Sequence, residues 1–373
     1  MTLRPATVSL VILALASTAA GQQPAAQPAV RSPEVAADRR VTFRLAAPKA
    51  TDVRLTCECV NGAQVLQKDG QGLWSITLGP FEPDIYEYEF TVDGLTIIDP
   101  RNEKVKYNGR PSTVSSLLEV PGSGPLFYEA KTVPHGTVDI RWYPSKAVNG
   151  VRRAYIYTPP NYDRGTSRLP VLYLLHGADG DDSAWIAFGR ANHILDNLLA
   201  DKKMTPMVVV MPFGYAFPPG AGAAGDRQRA DFEKDLLQDL IPFVQANYRV
   251  HTDRANRALV GLSMGGGQAL NIGLRNVDLF SRVASFSGAV PRGAAAEPFQ
   301  PLLADAKKLN SSLKLLWVGC GTEDGLFALN KEFSELLKKN GVTHTFRETS
   351  GAHTWSVWRK YLAEVAPLLF PQT

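Results

Sequence analysis

A single serine lies among glycines in the run RALVGLSMGGGQAL, which spans residues 257–270. Ser263 stands at the centre of a G-x-S-x-G pattern, between an apolar strand-like segment and a glycine-rich helix-like segment. Glycines two positions either side of the serine permit a sharp, strained turn that exposes its hydroxyl. A helix beginning just after the turn directs N–H groups towards developing negative charge. The pattern therefore predicts that Ser263 is the nucleophile of an acyl-transfer reaction.

A nucleophilic serine needs a general base. Where such a serine lies on a turn between a strand and a helix, the base follows it in the chain. Two histidines, His344 and His353, follow Ser263 in the chain. His344 lies inside the strand-like run THTFRE, where a structural role is typical, whereas His353 lies in SGAHTW, a loop between a strand and the last helix. Catalytic groups gather in loops at strand ends. We therefore predict His353 as the base.

The base in turn needs a carboxylate that orients it. The apolar strand-like run LKLLWVGCG is followed, after Thr322, by Glu323 and Asp324, at the sheet edge where Ser263 is expected. Asp278 and Asp305 lie in helix-like or loop sequence that is typical of solvated charges. The residues themselves leave Glu323 and Asp324 as alternatives.

Stabilisation of an oxyanion requires two backbone donors. One is the N–H of Met264, directly after the nucleophile. The other is expected after an early buried strand, where LLHGADG supplies His176-Gly177 and then Ala178. We predict that the backbone N–H groups of Ala178 and Met264 form the oxyanion hole.

The elements that must position these residues lie in the second part of the chain. From about residue 128, apolar strand-like runs such as LPVLYLLHG and MVVVMP alternate with amphipathic helix-like runs. This alternation predicts a mostly parallel sheet with helices on both faces, over residues 126–373.

The first part of the chain has a different pattern. Residues 40–120 contain short strand-like runs broken by turn signals, which predict a small immunoglobulin-like β-sandwich. Trp74 alternates with apolar residues and is interpreted as a core residue. Cys57 and Cys59 lie two apart in a strand-like run and are expected not to pair with each other.

The pattern of the N-terminal segment is typical of a targeting signal. Residues 1–21 combine Arg4, an apolar run and small residues, which is the pattern of a secretory signal peptide. Residues 22–39 are rich in Pro, Ala and Gln, which predicts a disordered linker. We expect a secreted or periplasmic protein that does not associate with a membrane after signal cleavage.

Composition excludes several classes of partner. The 40 basic and 36 acidic residues are mixed along the chain without a dense basic block, so no nucleic-acid partner is expected. The three cysteines lack the spacing of a zinc site. A serine mechanism needs neither a metal nor an organic cofactor, and we predict none.

Six ordered motifs, among them LVGLSMGGGQAL, CGTEDGLF and SGAHTWSVWRKYL, resemble the esterase D-like α/β-hydrolases of carbohydrate esterase family 1. The resemblance spans nearly all of residues 130–370. It implies Ser263 as nucleophile, His353 as base and Asp324, rather than Glu323, as acid. The run YEYEFTVDGLTIIDPRN resembles the early-set, carbohydrate-binding domains found before glycogen-branching enzymes and some feruloyl esterases.

The resemblance implies an esterase that releases ferulate or acetate from acylated plant polysaccharide of the xylan type. Trp355, next to His353, is a candidate aromatic wall for a phenolic acyl group, with core packing as the alternative; Trp358 is more typical of core. Other functions left open are siderophore ester hydrolysis of the enterochelin type, acyl transfer of the mycolyltransferase type, and a catalytically inactive carbohydrate-binding protein. The long loop over 214–228 is a further candidate for controlling substrate choice.

Overall fold

The computed structural model describes residues 30–107, 114–178, 180–216, 231–290 and 299–371. The predicted signal peptide, and residues 217–228 of the loop after residue 214, lie outside these ranges. No helix within the described ranges is long and apolar enough to cross a membrane.

The N-terminal part consists of two antiparallel sheets. Their strands alternate buried and exposed side chains, as in β3, and so present one apolar face each. Buried side chains of both sheets, such as Phe43, Tyr88 and Phe90, pack in one cluster. The first sheet has the order β1-β2-β6-β5 and the second β4-β3-β7-β10-β9, with β8 paired to β7. The strands are β1 Glu34–Val35, β2 Val41–Ala46, β3 Val53–Cys57, β4 Gln64–Val65, β5 Gln67–Lys68, β6 Leu73–Leu78, β7 Asp84–Val92, β8 Leu95–Ile97, β9 Val105–Tyr107 and β10 Val114–Val120.

Trp74 belongs to this core, as its alternation with apolar residues predicted. Its side chain is buried, and its indole N–H donates to the carbonyl of Ala47 at 2.9 Å. The first sheet begins earlier than residue 40, because Glu34–Val35 pairs with β2 inside the segment predicted to be a disordered linker.

The expectation for the cysteines is wrong: Cys57 and Cys59 form a disulfide. Strand β3 ends at Cys57 and the chain then turns, so Cys59 does not lie two positions further along the same strand, as the expectation assumed. Their Cα atoms are 5.1 Å apart, a normal separation for a disulfide.

The second part is built on an eight-stranded sheet of order β11-β12-β14-β13-β15-β16-β17-β18. The first two pairings are antiparallel and the other five are parallel, which confirms the predicted mostly parallel sheet. Central strands such as β13 and β15 are buried along their whole length, which requires cover on both faces. The strands are β11 Thr137–Ser145, β12 Gly150–Thr158, β13 Val171–Leu175, β14 Val208–Pro212, β15 Arg257–Leu262, β16 Arg282–Phe286, β17 Leu315–Gly321 and β18 Thr345–Thr349.

Two apolar clusters cover the two faces of this sheet. Alternate side chains of β13 divide between them: Tyr173 joins one cluster, and Leu172 and Leu174 join the other. The helices are α1 Ala184–Ala187, α2 Ala191–Ala200, α3 Ile241–Asn247, α4 Met264–Arg275, α5 Gln300–Ala304, α6 Ala306–Ser312, α7 Phe327–Lys339 and α8 Trp355–Leu369, with a π-helical turn at Asp235–Leu240 before α3.

The two parts share apolar contacts. Ile85 of β7 and Leu117 of β10 belong to the same cluster as Trp185, Trp358 and Tyr361 of the second part. The sandwich-like sheets are therefore packed against the large sheet's helical cover, which brings residues from the first part close to the site described next.

Candidate active site

Ser263 occupies the turn between β15 and α4, with φ 52° and ψ −117°. This backbone conformation is strained for a residue with a side chain. A Cβ on Gly261 would lie 2.3 Å from the carbonyl oxygen of Gly265, and a Cβ on Gly265 would lie 2.4 Å from that of His176. The two glycines are needed because the turn brings these backbone segments into contact. The strained serine is held by hydrogen bonds, including one from its N–H to the carbonyl of Phe286 at 2.9 Å.

The structure connects Ser263, His353 and Asp324 through two hydrogen bonds, with His353 in the middle. His353 Nε2 lies 2.9 Å from Ser263 Oγ, and His353 Nδ1 lies 2.8 Å from Asp324 Oδ2. His353 comes from the loop between β18 and α8, and Asp324 from the turn after β17. The three side chains lie far apart in the chain and meet where the parallel strands end, as expected for such a sheet.

The Asp324 side chain is fully buried, whereas that of His353 is 36% exposed. Burial raises the pKa of Asp324, but hydrogen bonds from His353, the N–H of Leu326 and Ser287 together hold the pKa below its usual value. The carboxylate is therefore ionised at neutral pH, and its hydrogen bond to Nδ1 orients the imidazole.

The alternatives considered for base and acid lie elsewhere. His344 Nε2 contacts the hydroxyl of Ser334 at 2.7 Å, and its Nδ1 contacts a backbone carbonyl. Glu323 is exposed and accepts from the N–H of Gly351. Asp305 caps α6 by accepting from the N–H of Lys308 at 3.1 Å. None of these three side chains contacts Ser263 or His353 in the described structure.

The residues predicted to form the oxyanion hole flank the serine. Met264 is the first residue of α4, so its N–H has no acceptor within the helix. Ala178 lines the cavity at Ser263. Gly177 approaches the serine so closely that an added Cβ would lie 3.2 Å from Ser263 Cβ.

His176 has a positioning role that the sequence did not reveal. The N–H of Gly214 donates to its Nε2 at 2.8 Å, so the proton resides on Nδ1, which donates to the Gly177 carbonyl at 2.7 Å. Complete burial lowers the pKa of His176 to about 4, which keeps it neutral. In a trans peptide, the Gly177 C=O and the Ala178 N–H point in opposite directions. By holding the carbonyl, His176 sets the direction of the Ala178 N–H.

A cavity opens at Ser263 and receives residues from both parts of the chain. Its lining comprises Glu58, Glu87, Lys106, Gly177, Ala178, Gly180, Leu262, Ser263, His353, Trp355 and Trp358. Three of these come from the first part of the chain: Glu87 from β7 and Lys106 from β9 of the second N-terminal sheet, and Glu58 from the turn after β3. We call Glu58, Glu87 and Lys106 the polar wall.

The polar wall is internally connected. Lys106 forms an ion pair with Glu87, and Glu58 accepts from the backbone N–H of Glu87 at 2.9 Å. Desolvation by the surrounding protein, together with the negative charge of Glu87, raises the pKa of Glu58 to about 7. Sequence reasoning missed this wall because nothing local in the first part of the chain indicates that these side chains face Ser263.

The aromatic side of the cavity is formed by α8. Trp355 is buried and packs edge-on against Trp185 at 5.2 Å and against Trp358 at 5.4 Å between ring centroids. Trp358 lies edge-on to the imidazole of His353 at 4.8 Å. Both tryptophans thus belong to the core and also line the cavity.

Residues 145–369 match the family model described as putative esterase. The chain belongs to this esterase family. It is 32% identical over 355 residues to an endo-1,4-beta-xylanase/feruloyl esterase of Xylanibacter ruminicola. The aligned region covers 93% of this chain but 47% of that protein. The chain therefore spans about half the length of this relative.

Solved structures show the same likeness. A ferulic acid esterase is 27% identical, with a TM-score of 0.56 over 63% of this chain and 98% of that one. The enterochelin esterase of Shigella flexneri is 20% identical, with a TM-score of 0.68 over 89% of this chain and 92% of that one. The match to the enterochelin esterase shows a likeness of fold. It covers more of the chain than residues 126–373 contain, so it includes residues of the first part.

Proposed function

We propose that the chain is a serine carboxylic ester hydrolase that acts through an acyl-enzyme. The observation that carries this proposal is the hydrogen-bonded sequence from Ser263 through His353 to Asp324 at the cavity. Ser263 Oγ attacks the ester carbonyl carbon while His353 Nε2 takes the hydroxyl proton. The N–H groups of Ala178 and Met264 stabilise the negative charge that develops on the carbonyl oxygen.

The remaining steps of the reaction use the same groups. His353 gives its proton to the leaving alkoxide oxygen, which departs as an alcohol and leaves the acyl group on Ser263. Water then attacks the acyl carbon as His353 takes one of its protons. The tetrahedral intermediate formed by this attack then collapses and releases the carboxylic acid, and His353 returns the proton to Ser263 Oγ.

We propose acylated plant polysaccharide of the xylan type as the substrate, with ferulate as the principal acyl group. The names of the Xylanibacter relative and of the solved ferulic acid esterase support this class. Trp355 and Trp358 offer an apolar, aromatic surface suited to a phenolic ring. The polar wall offers donors and acceptors suited to sugar hydroxyls.

Hydrolysis of an anionic siderophore ester is the second candidate, since the Shigella flexneri enterochelin esterase shares the fold over most of the chain. The charges of the cavity favour a neutral substrate. Among the lining residues that the structure describes, Lys106 is the cationic side chain, and it is already paired with Glu87, while Glu58 adds a second carboxyl group. A polyanion would meet more acidic than basic groups.

We further propose that residues 40–120 form an immunoglobulin-like domain of the early-set type. Two sheets around one core support this assignment. We assign to it the contacts with the sugar side of the substrate. Cleavage of a signal peptide over residues 1–21 would deliver the enzyme to the periplasm or the medium, where its polymer substrate lies.

The test is release of ferulate from methyl ferulate and feruloylated arabinoxylan, beside p-nitrophenyl acetate and a cyclic catecholate ester. Wild type should release ferulate, and Ser263→Ala should lose at least about 10³-fold of kcat. Ser311→Ala, an exposed serine on α6, serves as the matched control and should retain full activity. Hydrolysis of the catecholate ester alone would overturn the polysaccharide assignment. A failure of Ser263 to react with a fluorophosphonate probe, with no hydrolysis of any ester, would favour an inactive binding protein.

A further inference from the structure

Two histidines and one aspartate, which are not among the described lining residues of the cavity, converge beside α2. His193 and Asp196 lie three residues apart on α2 and therefore on one face of that helix. His135 reaches them from the segment just before β11. Potential ligand atoms of the three side chains all lie within 4.8 Å of one another.

The carboxylate of Asp196 is held firmly in place. Its side chain is 1% exposed. Its Oδ1 accepts from the Tyr157 hydroxyl at 2.7 Å and from the Gly136 N–H at 2.9 Å, and its Oδ2 lies 2.9 Å from His135 Nδ1. This group is oriented by the fold, unlike the mobile carboxylates of an exposed acidic cluster.

Among the residues that the structure describes, the carboxylate of Asp196 has no permanently cationic partner. Among the described residues, the ion-pair contact of this carboxylate is with His135, and no Lys or Arg side chain pairs with it. Arg190, at the start of the same helix, is paired with Glu119. A buried carboxylate without a fixed counter-charge is costly, so a cation bound here would be favoured.

The two imidazoles are suitably placed beside it. The ring centroids of His135 and His193 are 5.9 Å apart, with the rings at 77° to each other. His135 is exposed and His193 half-buried, so an ion can enter from solvent. Two imidazoles and one carboxylate form a ligand set typical of Zn²⁺, which takes solvent at the fourth position of its tetrahedron.

We infer that His135, His193 and Asp196 form a binding site for a divalent zinc-type cation. The site would fasten the segment that connects the two parts of the chain to α2. The same helix already holds this segment, because the Asn197 amide donates to the carbonyls of Phe127 and Glu129 at 2.9 Å each. The bound ion would act on stability rather than on ester hydrolysis.

The experiment is titration of the chelator-treated full chain with zinc sulfate, followed by calorimetry and by thermal unfolding. We expect one ion per chain and a zinc-dependent rise in Tm. His193→Ala and His135→Ala should each weaken binding about tenfold or more and abolish the rise in Tm. His251→Ala, a histidine outside the cluster, is the matched control and should bind as wild type does.

His193→Ala is the decisive variant, because within the described part of the chain the hydrogen bond of the His193 side chain is the 3.4 Å contact with Asn192. The proposal is overturned if wild type binds no zinc. It is also overturned if the His193→Ala and His135→Ala proteins bind zinc as tightly as wild type, or if His251→Ala weakens binding as much as they do.

Discussion

The guanidinium of Arg359, on α8, forms a buried ion pair with the carboxylate of Asp84, the first residue of β7. Asp84 also accepts from the hydroxyl of Ser356, and Arg359 donates to the carbonyl of Phe188 at 2.9 Å and lies over the ring of Tyr128, 4.7 Å from its centroid. The C-terminal helix that follows His353 is thus fastened to the N-terminal sheet that carries the polar wall. This pair sets the relative position of the two sides of the cavity.

Removal of one partner of this pair should be strongly destabilising. Asp84→Ala leaves the Arg359 guanidinium buried without its counter-charge, and we expect a loss of about 3–5 kcal/mol in the free energy of unfolding. Urea unfolding followed by tryptophan fluorescence measures it. Arg347→Ala, which breaks the exposed pair with Glu364, is the control and should cost less than about 1 kcal/mol. Equal effects of the two variants would contradict the structural role of the buried pair.

Asp324 and its neighbour Glu323 should differ sharply in their effect on the reaction. Asp324→Asn removes the acceptor that orients His353, and we expect kcat for methyl ferulate to fall about 10⁴-fold, as for the aspartate of other serine hydrolases. Glu323→Gln should stay within about threefold of wild type, because Glu323 is exposed and contacts the backbone of Gly351. A comparable loss in the two variants would argue against Asp324 as the orienting acid.

His176 should make stability depend on pH. Its folded-state pKa of about 4 lies below the ordinary value of 6.5, so the unfolded chain binds more protons between these values. The free energy of unfolding should therefore fall as the pH drops from about 6.5 to about 4, by about 3 kcal/mol from this residue. In His176→Gln this contribution should disappear, which unfolding curves at pH 7.5 and 4.5 can measure. An unchanged difference between the two pH values would exclude a neutral, buried His176 as its source.

Lys106 should affect large substrates more than small ones. Lys106→Met removes a charged donor from the polar wall, and we expect kcat/KM for a feruloylated arabinoxylan oligosaccharide to fall about tenfold more than kcat/KM for methyl ferulate. Comparison of the two substrates on one preparation removes any general loss of folded enzyme. Lys104→Met, which breaks an exposed pair with Glu119, is the control. Equal losses on both substrates would mean that the wall does not contact the sugar.

The sequence by itself determined the features that depend on local pattern. The glycines around Ser263 mark the strained turn, because only residues without a side chain permit the contacts between Gly261 and Gly265. The alternation of apolar strands and amphipathic helices indicated a mostly parallel sheet, since burial on both faces demands continuous apolar strands. His353 was distinguishable from His344 by its loop position.

The choice between Asp324 and Glu323 as the acid could not be made from local sequence pattern. Both are acidic residues at the end of one strand, and the residues alone did not separate them; the family resemblance favoured Asp324. The structure places its carboxylate against His353 because the turn after β17 directs one side chain inward and the other outward. Side-chain direction in a turn depends on the backbone path, which composition does not encode.

Only the tertiary structure decided what meets across long distances in the chain. The pairing of Arg359 with Asp84, the polar wall beside Ser263 and the convergence of His135 on His193 each join segments that no periodicity relates. A pattern of period two or 3.6 indicates which face of an element is buried, but not which other element covers it. The partner depends on how the whole set of apolar faces packs, and that packing brings the first part of the chain to the cavity of the second.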